Sequence, residues 1–214
     1  EAQSVLVLEN RLAGLAETLA LAPPSMPVYV ASAAVMDSIA GFPIHRGILA
    51  IGSKRAPETA GDVMAALGGR ALVLVLVGIS NHDNAGAIFR NAAALGADAV
   101  FLDRTSCDPL YRKAIRVSVG AVLKTPFAVF DDMDGFVAEL SAAGFELMAL
   151  SPGRGEDISK VARPDRLALF LGTEGEGLPP ALLARMRTVR IPMAEGFDSL
   201  NVAAASAIAL HTFR

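Results

Sequence analysis

The succession of apolar runs along the chain predicts an α/β fold, a parallel β-sheet with helices on both faces, preceded by a smaller α/β lobe. Three observations carry this expectation. From residue 71 onward, short apolar runs alternate with stretches of helical length and periodicity, the pattern of strands joined by crossover helices. The run "ALVLVLVG" is apolar throughout instead of alternating, as a strand covered on both faces requires. Residues 1 to 52 repeat the theme in miniature.

Taken in order, "SVLVLEN" and "PVYVAS" read as strands, "RLAGLAETLAL" and "AAVMDSIAG" as helices, and "RGILAIG" as a strand closing the first lobe, residues 1–53. Residues 54–70 are polar and read as a linker with room for a short helix. In the main lobe, residues 71–214, "ALVLVLVG" is followed by the helix "AGAIFRNAAALG", the strand "ADAVFLD" and the helix "PLYRKAIRVSVGAV". The strand "PFAVF", the helix "MDGFVAELSAAG", the strand "FELMAL", the loop "SPGRGEDISK" and the strand "LALFLG" come next. After "TEGEG" the chain gives a short helix "PPALLARM", a strand "TVRI" and a closing Ala-rich helix from about Leu200.

Composition bounds the class of protein. Of 214 residues, 53% are hydrophobic and 19% charged, enough apolar material for a core. The longest apolar runs fall far short of the roughly 18 to 20 residues of a membrane span, so no membrane partner is expected. The single Cys107 has no second thiol, and His45, His82 and His211 lack ligand spacing, so no metal is expected and a reducing cytoplasm is the expected setting. The chain starts at Glu1 and enters a strand at once, so residues upstream are expected and the first lobe reads as incomplete. A net charge of −3 excludes a protein coated in positive charge, yet Arg104, Arg112, Lys113 and Arg116 gather in "DRTSCDPLYRKAIRV". That cluster is either a patch for RNA or a solvated helix face.

In open parallel sheets, ligands collect beyond the carboxyl ends of the strands. The segments there are "ISNHDNAG", "SPGRG", "GTEGEG" and "PMAEGFDS", all polar or rich in glycine. "GTEGEG" has neither the spacing of a dinucleotide fingerprint nor the lysine of a P-loop. Its Glu174 and Glu176 would repel a phosphate, so a neutral or cationic ligand such as S-adenosylmethionine suits it, unless it is only a tight turn. In "NHDNAGAIFRNAAALG", Asn81, Asp83 and Asn84 supply a cap, and Ile88, Phe89, Ala92 and Leu95 form the buried stripe. Arg90 lies off that stripe among Gly86, Ala93, Ala94 and Ala97, which predicts a narrow space around it, for a ligand or for a buried ion pair.

"NHDNAGAIFRNAAALG", "LFLGTEGEGLP" and "IPMAEGFDSLNVAAASAIAL" resemble, in order and spacing, the three motifs of the SpoU/TrmH branch of the SPOUT superfamily of RNA ribose 2'-O-methyltransferases. The likeness runs from about residue 71 to the end of the chain. The first lobe is similar to the small L30e-like domain that precedes the catalytic domain in many members. The resemblance implies a C-terminal trefoil knot, S-adenosyl-L-methionine as cofactor, ribosomal or transfer RNA as substrate, and a homodimer with a site shared between subunits. It also implies site residues. Leu150, Ser151, Gly172, Gly177, Ile191, Met193 and Leu200 match positions around the cofactor, and Asn84, Arg90, Glu174, Ser199 and Asn201 match the polar catalytic set.

Two rivals stand beside this expectation. An RNA-binding protein of the same fold without activity would be expected to have lost some of the polar motif positions, all of which are filled. A nucleotide-dependent oxidoreductase would need a phosphate-binding fingerprint, which the sequence lacks.

Overall fold

A computed structural model of the chain describes residues 2–44, 46–173 and 175–214. The chain divides into two compact units, Glu1–Pro57 and Glu58–Arg214. The segment 54–70 is therefore not a linker throughout: from Glu58 on it belongs to the second unit.

In the first unit β1 (Ala2–Leu8) is the central strand of three, flanked by β2 (Val28–Ala31), which is parallel to it, and β3 (Ile48–Gly52), which is antiparallel. Between β1 and β2 the helix expected over "RLAGLAETLAL" breaks into two 3-10 turns and a single α-turn, α1 (Ala16–Leu19). Gly14 sits in the middle of that stretch and Leu15 offers no capping side chain, so the helix never gains the length that cooperativity demands. Helix α2 (Ala33–Ala40) ends where Gly41 turns left-handed at φ 78° and donates its N–H to the Asp37 carbonyl at 2.8 Å. The Asp37 carboxylate then accepts the Ile44 N–H at 2.9 Å and holds the chain on course for β3.

The second unit opens with α3 (Ala60–Ala65), started by a reciprocal capping box between Thr59 and Asp62. Its sheet contains β4 (Ala71–Leu76), β5 (Ala99–Asp103), β6 (Phe127–Phe130), β7 (Glu146–Leu150), β8 (Glu156–Asp157), β9 (Arg166–Leu171) and β10 (Arg187–Arg190). They lie in the order β6-β5-β4-β9-β7-β10-β8, and every pair of neighbours is parallel. The chain thus leaves β7 for the far edge, returns to place β9 in the middle, and then slots β10 between β7 and β8.

Every residue of β4 is buried, because the sheet is covered on both sides. Leu72, Leu74 and Leu76 face one layer, made by α4 (His82–Leu95) and α8 (Val202–Phe213), with Phe89, Leu210 and Phe213 in its centre. Ala71, Val73 and Val75 face the other, made by α3, α6 (Met133–Ala142) and α7 (Pro180–Leu183), where Phe130 stacks on Phe136 at 4.0 Å. The alternation of strand side chains decides which residue joins which layer.

Helix α4 is capped by Asn81, whose side chain accepts the Asp83 N–H at 2.8 Å, and is closed by left-handed Gly96. Helix α5 (Arg112–Val117) is shorter than the sequence suggests. Ser118 turns its hydroxyl back onto the Ile115 carbonyl at 2.9 Å, Val119 adopts φ 54°, and the run finishes as a 3-10 turn over Ala121–Leu123. The other departure is β8, found inside what reads as a loop. Arg187 of β10 fastens it there by a forked contact to Glu156 at 2.9 and 3.0 Å, and that contact holds the Glu156 carboxyl below its ordinary pKa. Among the described residues no helix is long and apolar enough to cross a membrane.

Candidate active site

Because all seven strands run the same way, the loops after β7, β9 and β10 leave from one edge of the sheet. They enclose a cavity of about 560 Å³. Leu150 and Ser151 enter it from the β7 loop, Gly172 and Gly177 from the β9 loop, and Ile191, Met193 and Leu200 from the β10 loop. All seven residues that the motifs single out for a cofactor are thus brought to one cavity. Its described lining carries no lysine or arginine, while Glu176 and Asp198 contribute carboxylates.

The β9 loop owes its shape to two glycines. Thr173 and Gly177 form an isolated bridge, with the Gly177 N–H donated to the Thr173 hydroxyl at 3.1 Å and Gly177 at φ 70°. The strand end and the returning loop approach so closely that a Cβ on Gly172 would stand 2.5 Å from the backbone of Gly177 and Leu178. Gly172 is required by backbone packing within the loop, and the cavity wall follows from it.

A second, smaller cavity of about 220 Å³ adjoins the first, and Thr173, Gly175 and Val202 line both. Its other wall is the turn from β4 into α4, with Gly78, Ile79, Ser80 and Asn81, and Asn84 from the first turn of the helix. Sequence reasoning missed what holds that turn. Asp103, the last residue of β5, accepts the Gly78 N–H at 2.9 Å and the Ser106 hydroxyl at 2.6 Å on one oxygen, and the Thr105 hydroxyl at 2.5 Å on the other. The Ser106 hydroxyl in turn accepts the Ile79 N–H at 3.0 Å. The available signal was "DRTS" at a strand end, an aspartate followed within three residues by hydroxyls able to close a turn on it.

The start of α8 meets this turn. The Asn201 side-chain oxygen accepts the N–H groups of Ala203 at 2.9 Å and Ala204 at 3.3 Å, and its amide donates to the Asn84 side-chain oxygen at 3.0 Å. One side chain therefore caps a helix of high apolar content and ties it to the residue facing the smaller cavity. Asn91, two turns along α4, repeats the tie by donating to the Ala203 carbonyl at 2.8 Å and the Ser206 hydroxyl at 3.0 Å. Ser199 lines the larger cavity and is exposed, with its hydroxyl directed at Asp198 at 3.3 Å.

Arg90 corrects an expectation. It lines neither cavity and is exposed, as are its neighbours Ala93 and Ala94. The small residue that does create a close approach is Gly86, one turn before Arg90 on the same side of the helix, where a Cβ would fall 2.7 Å from the Ala114 carbonyl of α5. Six residues separate Asn84 from Arg90, which turns Arg90 well away from the cavity that Asn84 faces. Glu174 lies outside the described residues. Of the four cations expected to form an RNA patch, Arg104 is paired with Asp131 and Lys113 with Asp83 at 2.7 Å, while Arg112 and Arg116 are exposed on α5. Partial burial raises the Cys107 thiol pKa.

The chain is 43% identical over 209 residues to an uncharacterised tRNA/rRNA methyltransferase of Mycobacterium bovis, covering 95% of this chain and 70% of the relative. It is 31% identical over 186 residues to the 23S rRNA (guanosine-2'-O-)-methyltransferase of Bordetella pertussis, covering 86% of this chain and 76% of that protein. Among solved structures, an AdoMet-bound rRNA methyltransferase from Sinorhizobium meliloti has the same fold, with a TM-score of 0.82 at 24% identity over 100% of this chain and 79% of that one. A structure described as an RNA 2'-O ribose methyltransferase matches with a TM-score of 0.76 at 26% identity, over 99% and 80% of the two chains. The family model that describes the SpoU rRNA methylases matches residues 71–211, the span that holds both cavities and all three motifs. This chain belongs to the SpoU rRNA methylase family.

Proposed function

We propose that the protein transfers a methyl group from S-adenosyl-L-methionine to a ribose 2'-oxygen of a structured RNA, ribosomal or transfer. The observation that carries this reading is the pair of adjoining cavities, one lined by both apolar residues and carboxylates with no described lysine or arginine, the other lined by Asn84, which is bonded to Asn201. The larger one suits the cofactor. Leu150, Ile191 and Leu200 offer apolar surface to an adenine, backbone groups at Gly172 and Gly177 are close at hand, and Glu176 and Asp198 favour a positive sulfonium. A bound S-adenosylmethionine supplies an electrophilic methyl group.

The protein's own part is placement and charge. Asn84, fixed by Asn201, orients the ribose in the smaller cavity, Ser199 adds a hydroxyl from the wall of the larger one, and Glu174 belongs to the same polar set by its place in the motif. Arg90 does not remove the proton from the hydroxyl, since a protonated guanidinium presents only N–H donors and has no acceptor for it. Its charge stabilises the developing alkoxide or holds the neighbouring phosphate. Because Arg90 lies outside both cavities of its own chain, it serves the site of a second copy in a homodimer.

The same reading extends to topology and setting. The slots taken by β9 between β4 and β7, and by β10 between β7 and β8, support a trefoil knot threaded after β9. The first unit acts as an L30e-like RNA-binding domain, and the lone cysteine favours a reducing cytoplasm. In a thermal-shift titration S-adenosylmethionine raises the melting temperature and NAD does not. Stabilisation by NAD alone contradicts the proposal.

A further inference from the structure

We propose that the exposed Tyr111, its ring against that of His82 and the exposed Arg112 and Arg116 following it on α5, is a stacking platform for an unpaired nucleotide next to the one that is methylated. The inference rests on the smaller cavity being the acceptor site, and it specifies the substrate as RNA that is single-stranded there. Ser80 and Asn81 line that cavity, and His82 is the next residue, the first of α4. The Tyr111 ring lies 4.5 Å from the His82 ring, tilted by 47°, and Tyr111 keeps 45% of its surface in solvent.

Two features fix the platform in place. Tyr111 holds the extended N-cap conformation ahead of α5. Its neighbour Lys113 is bound to Asp83 at 2.7 Å, so the starts of α4 and α5 are joined by two successive contacts, ring to ring and charge to charge. Arg112 and Arg116 are four apart on α5, both exposed, and neither is in an ion pair among the described residues. An exposed aromatic residue at the start of a helix that carries two exposed arginines, neither in an ion pair among the described residues, matches a base with its flanking phosphates. A continuous duplex keeps its bases stacked on one another and offers no free face.

The test uses the full chain and fluorescein-labelled RNA oligonucleotides, one unstructured and one a blunt duplex, with affinity read by anisotropy across a salt series. The wild type binds the unstructured RNA more tightly than the duplex. Tyr111→Ala weakens that binding roughly tenfold, Tyr111→Phe changes it less than about twofold, and neither alters the salt dependence, because stacking carries no counterion release. Arg112→Gln flattens the salt dependence instead. Circular dichroism and S-adenosylmethionine affinity remain those of the wild type in both tyrosine variants. Unchanged RNA affinity in Tyr111→Ala, equal losses in Tyr111→Phe and Tyr111→Ala, or a wild type that prefers duplex overturns the platform. Weaker binding by Tyr111→Ala in a protein whose wild type methylates no ribose would leave the platform standing and sink the reading of the acceptor site.

Discussion

Gly172 is the residue where the loop's architecture and the cavity's wall coincide. In the sequence it is one glycine in "LGTEGEG", equally at home in a turn or a ligand loop, and nothing there reveals that the loop's return passes within contact of it. A valine at this position pushes against backbone at Gly177 and Leu178, which cannot yield as a flexible side chain would. Gly172→Val is therefore expected to lower S-adenosylmethionine affinity at least about tenfold, roughly 1.4 kcal/mol, by calorimetry. Unchanged affinity would detach the β9 loop from the cofactor. Asn201 shows the opposite case. Asparagine directly before an apolar helix is a readable cap, but its bond to Asn84, 117 residues away in sequence, exists only once β4 and β10 share a sheet.

At the scale of elements, residue patterning made strands such as β4 and helices such as α4 and α6 legible, because burial and capping there are written in local periodicity. Elements decided by long-range contacts were not. β8 exists because Arg187 reaches it, and α5 stops early because Ser118 turns on its own helix. The crossing of α4 and α5 hinges on Gly86, whose Cβ would also fall 2.9 Å from that of Val117. Gly86→Val forces these helices apart and is expected to destabilise the protein by about 1–3 kcal/mol, measured by chemical denaturation. The same displacement moves Lys113 and Tyr111 away from the start of α4. A variant as stable as the wild type would mean that α5 has freedom the packing does not suggest.

The whole molecule raises the question of where Arg90 acts. The sequence places it in the same motif as Asn84, and proximity in sequence suggested proximity at the site. Helical geometry separates them, since six residues carry Arg90 to another face. If two copies pair about a twofold axis, Arg90→Ala and Asn84→Ala are each inactive alone. Mixed in equal amounts and allowed to exchange subunits, they regain roughly a quarter of wild-type activity, because half of the dimers carry one intact composite site. No recovery would place both residues in the site of a single chain.

Whether the acceptor atom is a ribose 2'-oxygen is decided by the chemistry of the product. RNA incubated with the protein and methyl-labelled S-adenosylmethionine would be digested to nucleosides and resolved by mass spectrometry. The label is expected on the ribose, with the adjoining phosphodiester resistant to alkali because its 2'-oxygen can no longer attack. Label on a base, with normal alkaline cleavage beside it, would contradict it.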